Sequence, residues 1–184
     1  MTLAIVAACE KKSELSQVEQ VAENEPDQQF VHAQIVITEN GMTSAIVRAE
    51  SVRVYTETDY TAVDGGMVID FFNQRGTRTS TLSADRGEVF GLYEEVDSLK
   101  AQGRVVILSD DRTKKMETSK SLWWRASERT IYADGHTRLI SEDAVEEGVH
   151  FVAKDDLSEY TMDNVSGSFE GETLPLPGES HEKE

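Results

Sequence analysis

Residues 82–107 read LSADRGEVFGLYEEVDSLKAQGRVVI, and the spacing of their apolar positions decides the fold class. In the second half, Leu99, Ala101, Gly103, Val105 and Ile107 alternate with Lys100, Gln102 and Arg104. Strict alternation is the mark of a strand with one buried and one wet face. The first half carries Leu82, Ala84, Gly87 and Val89, so the apolar series jumps three residues between Ala84 and Gly87. A flat strand keeps its faces, and a three-residue step swaps them unless the chain bulges or turns a corner there. The spacing therefore predicts a long strand that bends at Ala84–Gly87, leaving one sheet and joining a second that faces it.

Working outward, the same unit recurs. Val47, Ala49, Val52 and Val54 repeat the first half, as do Met116, Thr118, Ser121 and Trp123, and more weakly Phe151, Ala153, Asp156 and Ser158. The small residue steps through Ala49, Ala84, Thr118 and Ala153 at intervals of 35, 34 and 35. The second half recurs as Val63-Gly65-Met67-Ile69-Phe71, as Ala133-Gly135 with Leu139, and as Val165-Gly167-Phe169. A near-constant period implies stacked units, each burying its apolar face against its neighbours. The expected fold is all-β: an open β-jellyroll of repeated antiparallel strand pairs wrapping two facing sheets. Its inward set is Val47, Val52, Val54, Met67, Ile69, Phe71, Leu82, Val89, Val105, Ile107, Met116, Trp123, Ile131, Leu139 and Phe151. Of the adjacent tryptophans only one can face inward, and the repeat assigns that place to Trp123.

Four segments follow. Residues 1–9 form an apolar start ending Val6-Ala7-Ala8-Cys9, residues 10–32 a polar tether, residues 33–169 the β-domain, and residues 170–184 a disordered acidic tail. A small residue before cysteine with aliphatics upstream resembles the lipobox of bacterial lipoprotein signal peptides, which makes Cys9 the expected acylation point. No Lys or Arg precedes the run, and it is shorter than a full signal peptide, so either the start lies upstream of Met1 or this is an ordinary buried N-terminal segment.

Composition closes other routes. A net charge of −17 opposes binding to nucleic acid. One cysteine excludes an internal disulfide, and four scattered histidines lack zinc-ligand spacing, so no metal or cofactor is expected. Asp110-Asp111 and Asp155-Asp156 resemble paired carboxylates but fall at turns, where Asp serves the backbone. Neither a phosphate loop, a serine elbow nor a nucleophile–His–Asp set is present, and no enzyme is expected.

The repeated sets Ile46-Val47-Arg48-Ala49-Glu50-Ser51-Val52, Leu82-Ser83-Ala84-Asp85-Arg86-Gly87-Glu88-Val89 and Ile131-Tyr132-Ala133-Asp134-Gly135 resemble the LptC family. LptC is the periplasmic, membrane-attached component of the lipopolysaccharide export ABC transporter, in the wider OstA-like group. The resemblance implies a carrier that takes lipopolysaccharide from the transporter, lines its acyl chains with the inward set, and passes it on. Its first edge (Ile35, Ile37) would meet the jellyroll of the transporter's membrane subunits. Its last edge (Val165, Phe169) would meet the periplasmic bridge protein. Known members hold the inner membrane by an N-terminal helix; a lipid on Cys9 would do the same work here. The rival reading is a surface or periplasmic lipoprotein whose solenoid is a protein- or glycan-binding structural module. A tightly filled, covered interior favours that rival, and bare edges with a lined opening favour transport.

Overall fold

The computed structural model describes residues 25–91 and 96–169. Cys9, most of the expected tether and the tail at 170–184 lie outside the described residues. Thirteen strands run in order: β1 (Gln28–Glu39), β2 (Met42–Tyr55), β3 (Tyr60–Phe72), β4 (Arg78–Ala84), β5 (Arg86–Phe90), β6 (Ser98–Gln102), β7 (Val105–Ser109), β8 (Lys115–Thr118), β9 (Leu122–Arg125), β10 (Thr130–Ala133), β11 (Thr137–Ile140), β12 (Ala144–Lys154) and β13 (Tyr160–Phe169). All their pairings are antiparallel.

The pairing resolves into a stack of bent levels. One half-sheet runs β3-β4-β7-β8-β11-β12, and the other runs β3-β5-β6-β9-β10-β12. The long strands β3 and β12 pass through both halves. Between them, each level is a short strand, a corner and a second short strand. Thus β4 pairs β7 in one half while β5, its direct continuation, pairs β6 in the other. The bend expected between Ala84 and Gly87 is therefore present, and it falls at Asp85. The corners form a spine on one side, and the hairpin turns form two lips around a mouth on the other. Beyond β3 lie β2 and β1, and beyond β12 lies β13, so β1 and β13 are the stack's outer edges.

Corner chemistry explains the bends. Gly103 has φ +93, and a Cβ there would stand 2.4 Å from Asp85 Oδ2. The same carboxylate oxygen accepts the Arg104 backbone N–H at 3.0 Å, and the Gly66 N–H donates to Asp85 O at 3.0 Å. Adjacent corners are thus stitched through Asp85, with glycine supplying the close approach and the left-handed backbone. On β3, Gly65 and Gly66 take φ +78 and +94 opposite a register shift between Ala49 and Ser51, which bends the long strands at the same spine.

β1 begins at Gln28, inside the stretch assigned to the tether. Its first residues pair with β2 from Val54 back to Ser51, ahead of a break in the regular backbone at His32 (φ +52). An edge strand needs little apolar alternation to pair, so Gln28 and Gln29 look like linker in sequence.

Candidate functional site: the apolar trough and its ends

Fourteen of the fifteen expected inward residues line the space between the half-sheets, each 4% exposed or less: Val47, Val52, Val54, Met67, Ile69, Phe71, Leu82, Val89, Val105, Ile107, Met116, Ile131, Leu139 and Phe151. They form one cluster with Leu99, Leu122 and Trp124. Burying each large side chain contributes about 1.5–3 kcal/mol, so the set stabilises the fold whatever else it does.

Trp123 is the exception. It is half-buried on the outside, stacked on Phe90 at 5.7 Å with Lys100 Nζ 5.3 Å from its ring. Trp124 is the inward tryptophan, fully buried. The cause is one extra residue in the corner. Ala84 to Gly87 spans three residues, whereas the inward positions at this corner are Thr118 and Leu122, with Ser121 partly exposed. A one-residue slip sends every later side chain to the other face. The weakest repeat also differs. After Phe151 and Ala153 the chain turns no corner, and Asp155 and Leu157 are buried instead of Asp156 and Ser158.

At the first end, Phe30 pairs with inward Val52 and so shares its face, yet it is 47% exposed, with no strand among the described residues covering it. Of the expected first-edge residues, Ile37 is buried in the core and Ile35 packs half-buried against it. At the last end, Val165, Gly167 and Phe169 share the face that carries Glu146 and Leu139, and Val165 and Phe169 are 51% and 43% exposed. Tyr160 stacks on Phe151 at 5.9 Å and donates a hydrogen bond to Glu146, which pushes its hydroxyl up to about 12.

The mouth is polar and shut. Asp155, buried, receives Trp124 Nε1–H at 3.3 Å and the Arg129 guanidinium at 3.0 Å. Burial pushes its carboxyl above the ordinary range, and Arg129 and Trp124 offset this only in part. From the opposite half-sheet, the Ser80 hydroxyl donates to Asp155 O and Lys114 Nζ donates to Leu157 O at 2.8 Å. These residues escaped the sequence reading because an isolated Asp-Asp pair at a turn signals backbone bonding. Asp111 does behave that way: Ser109 Oγ and the Thr113 N–H donate to it and hold it down to about 2, while Asp110 pairs instead with the Arg78 guanidinium at 2.7 Å.

Among the described residues, no His/Cys/Asp/Glu cluster could hold a metal ion, and no helix is long and apolar enough to cross a membrane.

The fold and its apolar interior define a β-jellyroll-like, all-antiparallel wrap in which, among the described residues, no strand pairs with the outer side of β1 or β13. Among solved structures it is similar to LptH of Pseudomonas aeruginosa, described as the LptA-homologous periplasmic component of the conserved lipopolysaccharide transport device. The TM-score is 0.54 at 9% identity, over 68% of this chain and 94% of that one. No family model matches the chain, and no curated protein does.

Proposed function

We propose that the chain is a periplasmic lipid carrier of lipopolysaccharide export. It receives lipopolysaccharide from the inner-membrane ABC transporter and passes it to the periplasmic bridge protein, while a lipid on Cys9 holds it at the inner membrane. The observation that carries this reading is an apolar interior that runs the length of the stack and, among the described residues, ends in exposed apolar side chains at both edge strands: Phe30 at one, Val165 and Phe169 at the other. A self-contained domain gains nothing by leaving both ends of its core bare, and unprotected edge strands invite pairing. Main-chain pairing along β1 and β13 would extend the trough into neighbours of the same architecture. The similarity to LptH supports the same reading. Because the chain carries a charge of −17, it holds the lipid by its acyl chains and leaves sugar and phosphate outside among counterions.

The filled interior and closed mouth favour the second reading, a structural module that never opens. Isolation of the full chain from membranes separates the two: lipopolysaccharide co-eluting in defined proportion supports the carrier, and lipid-free protein supports the module. The anchor is tested by Cys9→Ser, which should move the protein into the soluble fraction; unchanged fractionation would refute lipidation.

A further inference from the structure

The two lips of the mouth are separate turns of chain, and the β12–β13 turn, residues 155–159, ties them together. Toward one half-sheet, Asp155 accepts hydrogen bonds from Trp124 on β9 and from Arg129 after β9, and its own N–H donates to Arg129 O at 3.1 Å. Toward the other, Asp155 O accepts from Ser80 on β4 and Leu157 O from Lys114 after β7. Leu157 fills the gap between the lips, 1% exposed, and takes φ +59 to do so. That backbone region is unfavourable for a residue with a Cβ, so the buried side chain and its ties hold the turn in place.

We infer that residues 155–159 are a lid over the trough, and that acyl chains enter sideways through the mouth when it lifts. The inference rests on the carrier reading. The spine is covalently continuous at every corner and cannot part. Among the described residues the lips are joined by hydrogen bonds, one ion pair, the Lys114–Tyr160 ring contact and one leucine, all of which give way to water when the turn swings out. Trp124, directly beneath Asp155, then meets the incoming chains. The lid leads straight into β13, so what pairs with that edge also reaches the lid's hinge.

The test uses the full chain carrying Trp123→Phe, which leaves Trp124 as the sole tryptophan. Rough lipopolysaccharide with brominated acyl chains is the quencher, and hydrogen exchange of the 155–159 amides is followed in parallel. The lid predicts slow exchange without lipid, then quenching and faster exchange appearing together. Arg129→Met should speed both by about tenfold without changing the saturated quenching, since a hydrogen bond to a charged group carries at least that factor. Ser80→Ala, a milder change at the other lip, should act in the same direction. Quenching while the amides stay as protected as in the lipid-free protein would show entry along the stack from its ends, and would overturn the lid alone. Fast exchange before lipid is added would also overturn it. No quenching at all would contradict the carrier reading and the lid with it.

Discussion

Phe71 on β3 and Trp124 on β9 meet ring to ring across the trough, their centroids 5.2 Å apart at a 52° tilt. One side chain comes from each half-sheet, and both are fully buried. The pair is the cross-brace of the closed state, and a carried chain would have to displace it. Trp124→Ala should cost about 3–5 kcal/mol in urea unfolding, while Trp123→Ala, on the outer surface, should cost less than half of that. Equal losses would place the wrong tryptophan inside.

Asp155 links the lid to pH. Its folded-state pKa is raised by burial, so the folded protein binds this proton more tightly than the unfolded chain does. Its contribution therefore favours folding at low pH and fades as pH rises from the ordinary Asp value, about 4, through the raised one. Asp155→Asn removes that slope while its amide oxygen can still accept from Trp124. The variant's stability relative to the parent should rise between pH 4 and pH 7, read from denaturant midpoints at both. A flat difference would mean the carboxylate is not desolvated.

Asp70 behaves oppositely. It lies on the outer face of β3, where Arg48 Nη1 donates at 2.5 Å and Thr81 Oγ1 at 2.8 Å, with Arg78 at 3.7 Å. Burial pushes its carboxyl up, but these partners together carry it below the ordinary range. Its stabilisation is present above the ordinary Asp value and is lost as pH falls through the lowered one. Arg48→Met should cost about 2 kcal/mol at pH 7, because Asp70 is itself largely buried. The cost should shrink in acid, once Asp70 is protonated in both forms.

The last edge separates stability from hand-over. Val165 and Phe169 are exposed on β13, so Val165→Lys with Phe169→Lys should leave the unfolding free energy within about 0.5 kcal/mol of the parent. Lysines on an edge oppose further strand pairing. Crosslinking of the chain to a neighbouring jellyroll through β13 should therefore be lost. Retained crosslinking would remove β13 from the account.

Most of the architecture was legible because its signals are local. The three-residue jump at Ala84–Gly87 marks the corner at Asp85, whereas the unbroken alternation in 99–107 reads as one strand and hides the corner at Gly103 that divides it into β6 and β7. What escaped depends on corner length or on contacts distant in sequence. Counting by repeat at Thr118 gave Trp123, but the longer corner there brings in Leu122 and Trp124. The start of β1 was hidden because Gln28 and Gln29 pair through their backbone at an exposed edge. The lid was illegible for a third reason. Ser80 and Asp155 stand 75 residues apart, and no periodicity connects them.

Acyl chains in transit are expected to occupy the space lined by Val54 and Ile69. Photocrosslinking amino acids placed at these two positions in cells test that occupancy directly, with position 123 as the outward control. Lipopolysaccharide adducts are expected from positions 54 and 69 and none from 123. Labelling confined to the protein itself from 54 and 69 would contradict it.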